Sequence, residues 1–376
     1  MVVQTIKKKH NPEKSIKKTS FVKTFKNTKA ILDMIIQGKG IKQLLYNDEI
    51  CRKVIIGSVI NSGSFGIIAH LNKPKIHAPV IIKQSIKQNE DTGLGSEIFT
   101  ETAINSILTN DYLRGKFLHS SQIFSTFICS GKTNIVLEKL DGTVDAFKSI
   151  MGRDLTDEDV ENILFQLIAS LYYLQQRYQF VHRDLHPGNW MLQKITGDTV
   201  FHKKKLSHLG FFEYKINGLK YKIPNKGYIV KLIDFGTASM LVNIKDTNSL
   251  IVQKMIIDKV LAGPKQGHWG NFSTTFEPSL DVIFMFTSML LDNQINFYLP
   301  EFNKNKLLNR IVLDILSDPN YLSSKQYNLF AKKKKFPETW WTLTQGGLKR
   351  PYGMLPDDKF NPSSIVKNYF SSYLVK

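Results

Sequence analysis

Val181-His182-Arg183-Asp184-Leu185-His186-Pro187-Gly188-Asn189-Trp190 is answered, after a long interval, by Ile233-Asp234-Phe235-Gly236. An aspartate is followed five positions on by an asparagine, and a second aspartate then opens Asp-Phe-Gly. Phosphoryl transfer asks little covalent chemistry of a protein. It asks for a carboxylate beside the attacking hydroxyl and for oxygen ligands that hold a divalent metal against the phosphates. Asp184 meets the first need, as catalytic base. Asn189 and Asp234 meet the second, as metal ligands.

These two stretches resemble the catalytic-loop and metal-loop signatures of the eukaryotic-type protein kinases. The resemblance implies a bilobal α+β fold, with a small five-stranded antiparallel sheet and one helix in the N-lobe and a mainly helical C-lobe. It implies ATP as phosphoryl donor, Mg²⁺ or alternatively Mn²⁺ as the metal, and serine or threonine hydroxyls of proteins as acceptors.

Upstream, Ile60-Asn61-Ser62-Gly63-Ser64-Phe65-Gly66-Ile67-Ile68 resembles the glycine-rich loop that covers ATP phosphates. Gly63 and Gly66 stand where backbone must approach phosphate without a Cβ. Asn61 replaces the first glycine of the pattern and tolerates unusual backbone angles better than most residues. Two glycines flanking an aromatic would alone read as a hairpin turn; their place ahead of the other motifs makes them a nucleotide loop. Val80-Ile81-Ile82-Lys83 resembles the strand whose lysine contacts the α- and β-phosphates. A lysine ending an apolar strand is ordinarily a surface residue, and its distance behind the glycine loop argues otherwise here. Glu101 is the expected ion-pair partner of Lys83, since Ile104 and Leu108 follow it on a packing face, with Glu97 as the alternative. The resemblance places Ile68 in the roof of an adenine pocket, Met191 in its floor, and the backbone from Glu138 to Leu140 at the hinge. Ile81 stands where the family commonly has alanine. As bare chemistry, these apolar residues fit a plain core equally well.

Several departures matter. His186 occupies the position where serine/threonine kinases usually carry lysine, and is expected to stabilise the transferring phosphoryl group as a protonated imidazole. From Asn189 to Asp234 there are 45 positions (234 − 189), where the family needs about a dozen. The excess holds Lys203-Lys204-Lys205 and an alternating run around Asn217-Gly218, a strong hairpin signal. It reads as a basic inserted hairpin, either a docking element or inert decoration. No Ala-Pro-Glu follows Gly236. Asp281 matches the aspartate that binds the catalytic-loop backbone, and Ser273, Thr274 and Thr275 are candidate phosphosites facing Arg183. The His-x-Asp-x-His-Pro-Gly-Asn arrangement is also similar to that of aminoglycoside and choline kinases. Arg183, Asp-Phe-Gly and Phe65 favour a protein kinase over such a small-molecule phosphotransferase. Retention of Lys83, Asp184, Asn189 and Asp234 argues against a kinase-like scaffold without turnover. The catalytic-loop variation, the missing Ala-Pro-Glu and the Lys/Ile/Asn-rich composition resemble the divergent kinases of large DNA viruses such as iridoviruses and poxviruses.

Composition bounds the rest. The 376 residues carry 51 Lys and Arg against 32 Asp and Glu, a formal charge of +19. Such an excess attracts polyanions and says nothing of fold. Acidic protein substrates are one expected partner class, and nucleic acid through the basic segments is another; oligomeric state is left open. The two cysteines make no disulfide framework and predict a reducing compartment. The lysine-rich start lacks a secretory pattern, and the apolar run 282–291 is too short to span a bilayer. A soluble intracellular protein follows, in host cytoplasm or virion if viral. The expected division is a basic extension over 1–45, an N-lobe over 46–140, and a C-lobe over 141–376 with the insertion at about 196–228. Strands are expected over 54–60, 66–70, 79–84, 123–129 and 134–138. Helices are expected over 97–108, 157–179 and 279–291, with further ones within 307–316 and 363–374. Lys332 to Lys335, next to Phe336 and Trp340-Trp341, read as a solvated loop beside core aromatics, or as a base-stacking patch.

Overall fold

In the computed structural model the described residues are 55–63, 66–72, 80–85, 97–129, 131–245, 252–258, 278–291, 300–317 and 358–375. The expectations placed on the arm 1–45, on Ser64 and Phe65, on Ser273 to Thr275 and on 332–341 lie outside them.

Short runs of adjacent β-branched residues mark β1 (Ile55–Gly63), β2 (Gly66–Asn72) and β3 (Val80–Gln84). Helix α1 (Glu97–Leu113) follows, then β4 (Ile123–Cys129) and β5 (Lys132–Glu138). The five strands make one antiparallel sheet in the order β1-β2-β3-β5-β4. Lys83 is opposite Ile68 on one side and Ile135 on the other, so its backbone is fixed from both edges. α1 runs five residues beyond the expected Leu108. In its last turn Asp111 is buried, its carboxylate accepting the hydroxyls of Tyr173 and Tyr178 at 3.0 and 2.6 Å.

After the short helix α2 (Phe147–Met151), the long α3 (Asp157–Tyr178) is the hub of the second lobe. Thr156 and Asp159 close a capping box at its start, and Arg153 holds the Asp159 carboxylate with two hydrogen bonds at 2.6 and 2.8 Å. Val160, Ile163, Leu164, Leu167, Ile168, Leu171 and Leu174 recur at helical spacing and are all buried. Truncating any one of the leucines to alanine would cost about 2–5 kcal/mol. Gln179 adopts the left-handed conformation (φ 46°) that ends α3 and releases the chain into the 181–190 loop.

β6 (Trp190–Lys194) leaves that loop, and the insertion begins with β7 (Val200–Phe201) and β8 (Lys204–Lys205). β9 (Phe211–Ile216) and β10 (Leu219–Pro224) pair around Asn217 (φ 48°) and Gly218 (φ 77°), the two positive angles a two-residue hairpin turn requires. β11 (Tyr228–Leu232) then returns antiparallel to β6 with Leu232 opposite Trp190. The long interval is thereby closed, because Asn189 and Ile233 become neighbours, the Ile233 N–H donating to the Asn189 carbonyl at 3.0 Å. The insertion is packed: Phe201, Leu206, Phe212, Tyr214, Ile216 and Ile223 all join the core built on α3.

β12 (Ser239–Lys245) and β13 (Val252–Asp258) form a hairpin within the segment after Gly236. Helices α4 (Leu280–Leu291), α5 (Pro300–Lys304), α6 (Lys306–Leu316) and α7 (Pro362–Tyr369) complete the described chain. α7 lies within the expected 363–374 but for Pro362, its first residue. Phe370 leaves helical geometry (φ −119°) to pack edge-on against Phe165 of α3, and a 3₁₀ turn follows.

One cysteine expectation is overturned. Cys129 is disulfide-bonded, where two reduced thiols were expected; Cys51, the only other cysteine in the sequence, lies outside the described residues. Pairing depends on Cα separation in space, which spacing along the chain does not reveal. No helix among the described residues is long and apolar enough to cross a membrane.

Candidate active site

Lys83 projects from β3 to the carboxylates of two distant elements. Its Nζ lies 2.8 Å from Glu101 Oε2 on α1 and 3.0 Å from Asp234 Oδ1 just after β11. Burial alone would lower the Lys83 pKa, but the two carboxylates outweigh it and hold the ammonium charged. Burial likewise pushes Glu101 up, to about 7, against the pull of the lysine. Asp234 is held below its ordinary value, burial being overcome by Lys83. Of the two glutamates considered, Glu101 makes the pair. Glu97 instead covers Gly236, where an added Cβ would come within 2.6 Å of Glu97 Cγ.

The 181–190 loop is shaped by hydrogen bonds from outside it. Asp281, in the first turn of α4, accepts the backbone N–H groups of His182 and Arg183 at 2.7 and 2.8 Å. These bonds hold Arg183 at φ 66°, a conformation that costs a non-glycine residue on the order of 1–3 kcal/mol. His182 Nε2 lies 3.0 Å from the Ile233 carbonyl, and burial lowers its pKa to about 4, so the ring is neutral and donates. Phe235 packs on His182 and Phe180 with no exposed surface. That packing fixes Asp234, itself at φ 59°.

Asn189 Nδ2 donates to the Asp184 carbonyl at 2.7 Å and to its Oδ2 at 3.1 Å. The other carboxylate oxygen, Oδ1, is buried without a hydrogen-bond partner. Burial, reinforced by the Asp234 charge, raises the Asp184 pKa to about 7, near the value that suits a general base at neutral pH. His186 Nε2 stands 3.8 Å from Asp184 Oδ1. Its Nδ1 accepts the Gly188 N–H at 3.0 Å. An imidazole that accepts at Nδ1 keeps its lone pair there, so the proton sits on Nε2 and the ring is neutral in this geometry. The protonated form is expected once metal-bound phosphate faces the ring.

Because its Nδ2 donates, Asn189 keeps its carbonyl oxygen for another ligand, and Asp234 has a second oxygen beyond the one on Lys83. This hard-oxygen set suits Mg²⁺ or Mn²⁺ and no thiophilic metal. No cluster of three or more His, Cys, Asp and Glu side chains occurs among the described residues. Mg²⁺ needs none, since it is commonly held by one or two side chains together with substrate phosphates.

At the end of β5, the Glu138 side chain is engaged by two partners. Its Oε2 accepts from Lys231 Nζ at 2.8 Å and its Oε1 from Gln193 Nε2 at 2.8 Å. Lys231 has no exposed surface. This pair was not anticipated, though a lysine inside the apolar strand Tyr228-Ile229-Val230-Lys231-Leu232 signals a buried partner. Leu140 is buried, while Ile68 and Met191 are half-buried on facing elements. In β1, Asn61, Ser62 and Gly63 lie opposite Ile68, Ile67 and Gly66, and Ile60 is 48% exposed. Gly66 has a cause beyond phosphate access: a Cβ there would sit 2.7 Å from the Gln84 carbonyl oxygen of β3.

The protein kinase domain family model matches residues 54–257, more than half of the 376 residues. The chain belongs to the protein kinase domain family. A probable serine/threonine-protein kinase of Dictyostelium discoideum is 31% identical over 97 residues, 25% of this chain and 7% of the relative. The serine/threonine-protein kinase haspin of Bos taurus is 36% identical over 75 residues, 20% of this chain and 8% of the relative. An uncharacterised protein of Invertebrate iridescent virus 3 is 30% identical over 105 residues, 27% of this chain and 12% of the relative. The chain thus spans a small fraction of the length of these curated relatives.

Proposed function

We propose that this protein kinase domain transfers the γ-phosphate of ATP to serine or threonine hydroxyls of proteins. One observation carries the reading: Lys83 meets Glu101 and Asp234 within 3.0 Å, while Asn189 holds Asp184 alongside. Four elements far apart in the chain converge on one polar cleft. The similarity to serine/threonine-protein kinases supports the acceptor class.

In this mechanism the acceptor hydroxyl oxygen bonds to the γ-phosphorus as the bond to the β–γ bridging oxygen breaks, and ADP leaves. The hydroxyl proton passes to the free Oδ1 of Asp184. Lys83, kept charged and oriented by Glu101, binds the α- and β-phosphates. Asn189 and Asp234 would hold Mg²⁺ or Mn²⁺, which supplies neutralisation of phosphate charge. His186 stabilises the transferring group through Nε2, its protonated form favoured by metal-bound phosphate, where lysine would bring a permanent charge. Backbone groups from Glu138 to Leu140 read the adenine between Ile68 and Met191, and the strand pair ending at Gly63 and Gly66 covers the phosphates.

The test is acceptor identity. The purified chain is incubated with γ-labelled ATP and casein, a basic protein or free amino-sugars. Label on serine or threonine of a protein is expected. Label confined to the amino-sugars would assign the chain to small-molecule phosphorylation instead.

A further inference from the structure

A second concavity, sharing no residue with the nucleotide cleft, opens between α3 and the inserted hairpin. Its volume is about 300 Å³, the lower end of the range for ligand pockets. Ala169 provides the space, since its short side chain interrupts a face otherwise continued by Tyr172 and Tyr173. Tyr214 and Ile216 of β9 form the opposite wall, and Phe117 with His119 closes one end.

The walls are built rather than incidental. The Tyr172 hydroxyl accepts the Asn217 N–H at 2.8 Å and donates to Asn217 Oδ1 at 3.1 Å, tying the hairpin turn to α3. His119 Nδ1 donates to the Val230 carbonyl at 2.8 Å, and its Nε2 accepts the Tyr214 hydroxyl at 3.0 Å. Phe117 stacks on Tyr173 at 4.9 Å between centroids, and His119 on Tyr214 at 5.8 Å.

No lining residue is acidic, and the rim carries Lys116, Arg177 and Lys215. Arg177 is partly neutralised from behind by Asp111, 3.1 Å from its Nε. Lys116 and Lys215 are exposed and have no ion-pair partner among the described residues. Apolar walls under a cationic rim call for an apolar side chain flanked by negative charge. We propose that this cavity is a docking site for an acidic peptide segment of a partner protein, anchored by one aromatic side chain. Single-stranded nucleic acid is the poorer fit. Base stacking needs free aromatic faces, and here Phe117 and Tyr173, and His119 and Tyr214, already cover one another. The proposal does not depend on the catalytic assignment, because it concerns binding at residues outside the cleft.

The test is fluorescence anisotropy of the full chain with a labelled acidic heptapeptide carrying a central phenylalanine. Its central-alanine counterpart and a labelled ten-nucleotide single strand serve as competing probes. Lys116→Glu/Lys215→Glu reverses the rim, and Lys203→Glu/Lys205→Glu makes the same charge change elsewhere in the insertion. The phenylalanine peptide should bind, and both rim reversal and its replacement by alanine should weaken binding at least tenfold. The control reversal should change it less than threefold, with phosphoryl transfer unaltered in both variants. Four results would each overturn the proposal: no peptide binding, equal loss in both variants, equal affinity of the alanine peptide, or preference of the rim for the oligonucleotide.

Discussion

Lys231 Nζ lies 2.8 Å from Glu138 Oε2, with the lysine wholly buried and the carboxylate nearly so. The pair joins β11, which leads to Asp234, to the end of β5. Gln193 and the Gln122 backbone N–H satisfy the remaining carboxylate positions, at 2.8 and 3.2 Å. Breaking a buried ion pair by removing one partner costs roughly 3–5 kcal/mol, whereas replacing both is far milder. Lys231→Met should therefore lower urea stability by that amount, and Lys231→Met/Glu138→Gln should recover much of it. A double variant no more stable than the single one would mean that the pair acts only through packing.

Lys83 has two partners, so they are not equally critical. Lys83→Met removes the phosphate contact and leaves Glu101 and Asp234 buried without their cation; kcat/KM for ATP should fall at least about a hundredfold, roughly 2.7 kcal/mol. Glu101→Gln keeps Lys83 tied to Asp234 at 3.0 Å and should fall less. Steady-state kinetics on the two variants decides this; equal losses would remove Asp234 as a second anchor.

His119 should weaken the fold in acid before ordinary carboxylates titrate, a contribution opposite in sign to those of Asp184 and Glu101, which burial raises to about 7. Burial lowers His119 to about 4 from an unfolded value near 6.5. The unfolded chain thus binds this proton more readily, and stability rises with pH across that interval. The contribution is complete above pH 6.5 and is lost as pH falls to 4, amounting to up to about 3 kcal/mol. With urea midpoints taken at pH 7.5, 6 and 5, the stability of the wild type relative to His119→Gln, which keeps one donor and one acceptor, should decline as pH falls. An unchanged slope in that variant would assign the effect to other groups.

The start of α3 responds at lower pH. Burial would raise Asp159, but its bonds to Arg153 and Thr156 hold it at about 2. Its stabilisation is present above pH 4 and is lost as pH falls from 4 to 2. Thr156→Ala removes the hydroxyl half of the capping box and should cost about 1 kcal/mol, read as a fall in thermal midpoint.

Much of the architecture was legible because it rests on periodicity and turn chemistry. Val160 to Leu174 announce a buried helix face, and Asn217-Gly218 announces its hairpin by the two positive angles it must adopt. Features set by distant contacts were not legible. α1 continues to Leu113, where Asp111 accepts the hydroxyls of Tyr173 and Tyr178 from α3, and the exact end of α7 is set where Phe370 turns onto Phe165. β7 and β8, two residues each, carry no pattern long enough to read. At the site, Lys83 and Glu101 stood out by motif and helical spacing. The neutral state of His186 depends on where one backbone N–H points, and Lys231 was passed over although a charge within an apolar strand is itself a signal. The bond at Cys129 depends on proximity in space, which the cysteine count cannot convey.

The most direct measurement compares ATP affinity and turnover in Asp184→Asn. Asp184 is proposed to accept the acceptor proton while Lys83, Asn189 and Asp234 hold the nucleotide and its metal. Turnover on a protein acceptor should then fall about a thousandfold, within the span of general-base effects, while the dissociation constant for ATP with Mg²⁺ stays within threefold. Turnover that survives the substitution, or affinity lost in proportion to turnover, would contradict the convergence of these four residues on one triphosphate.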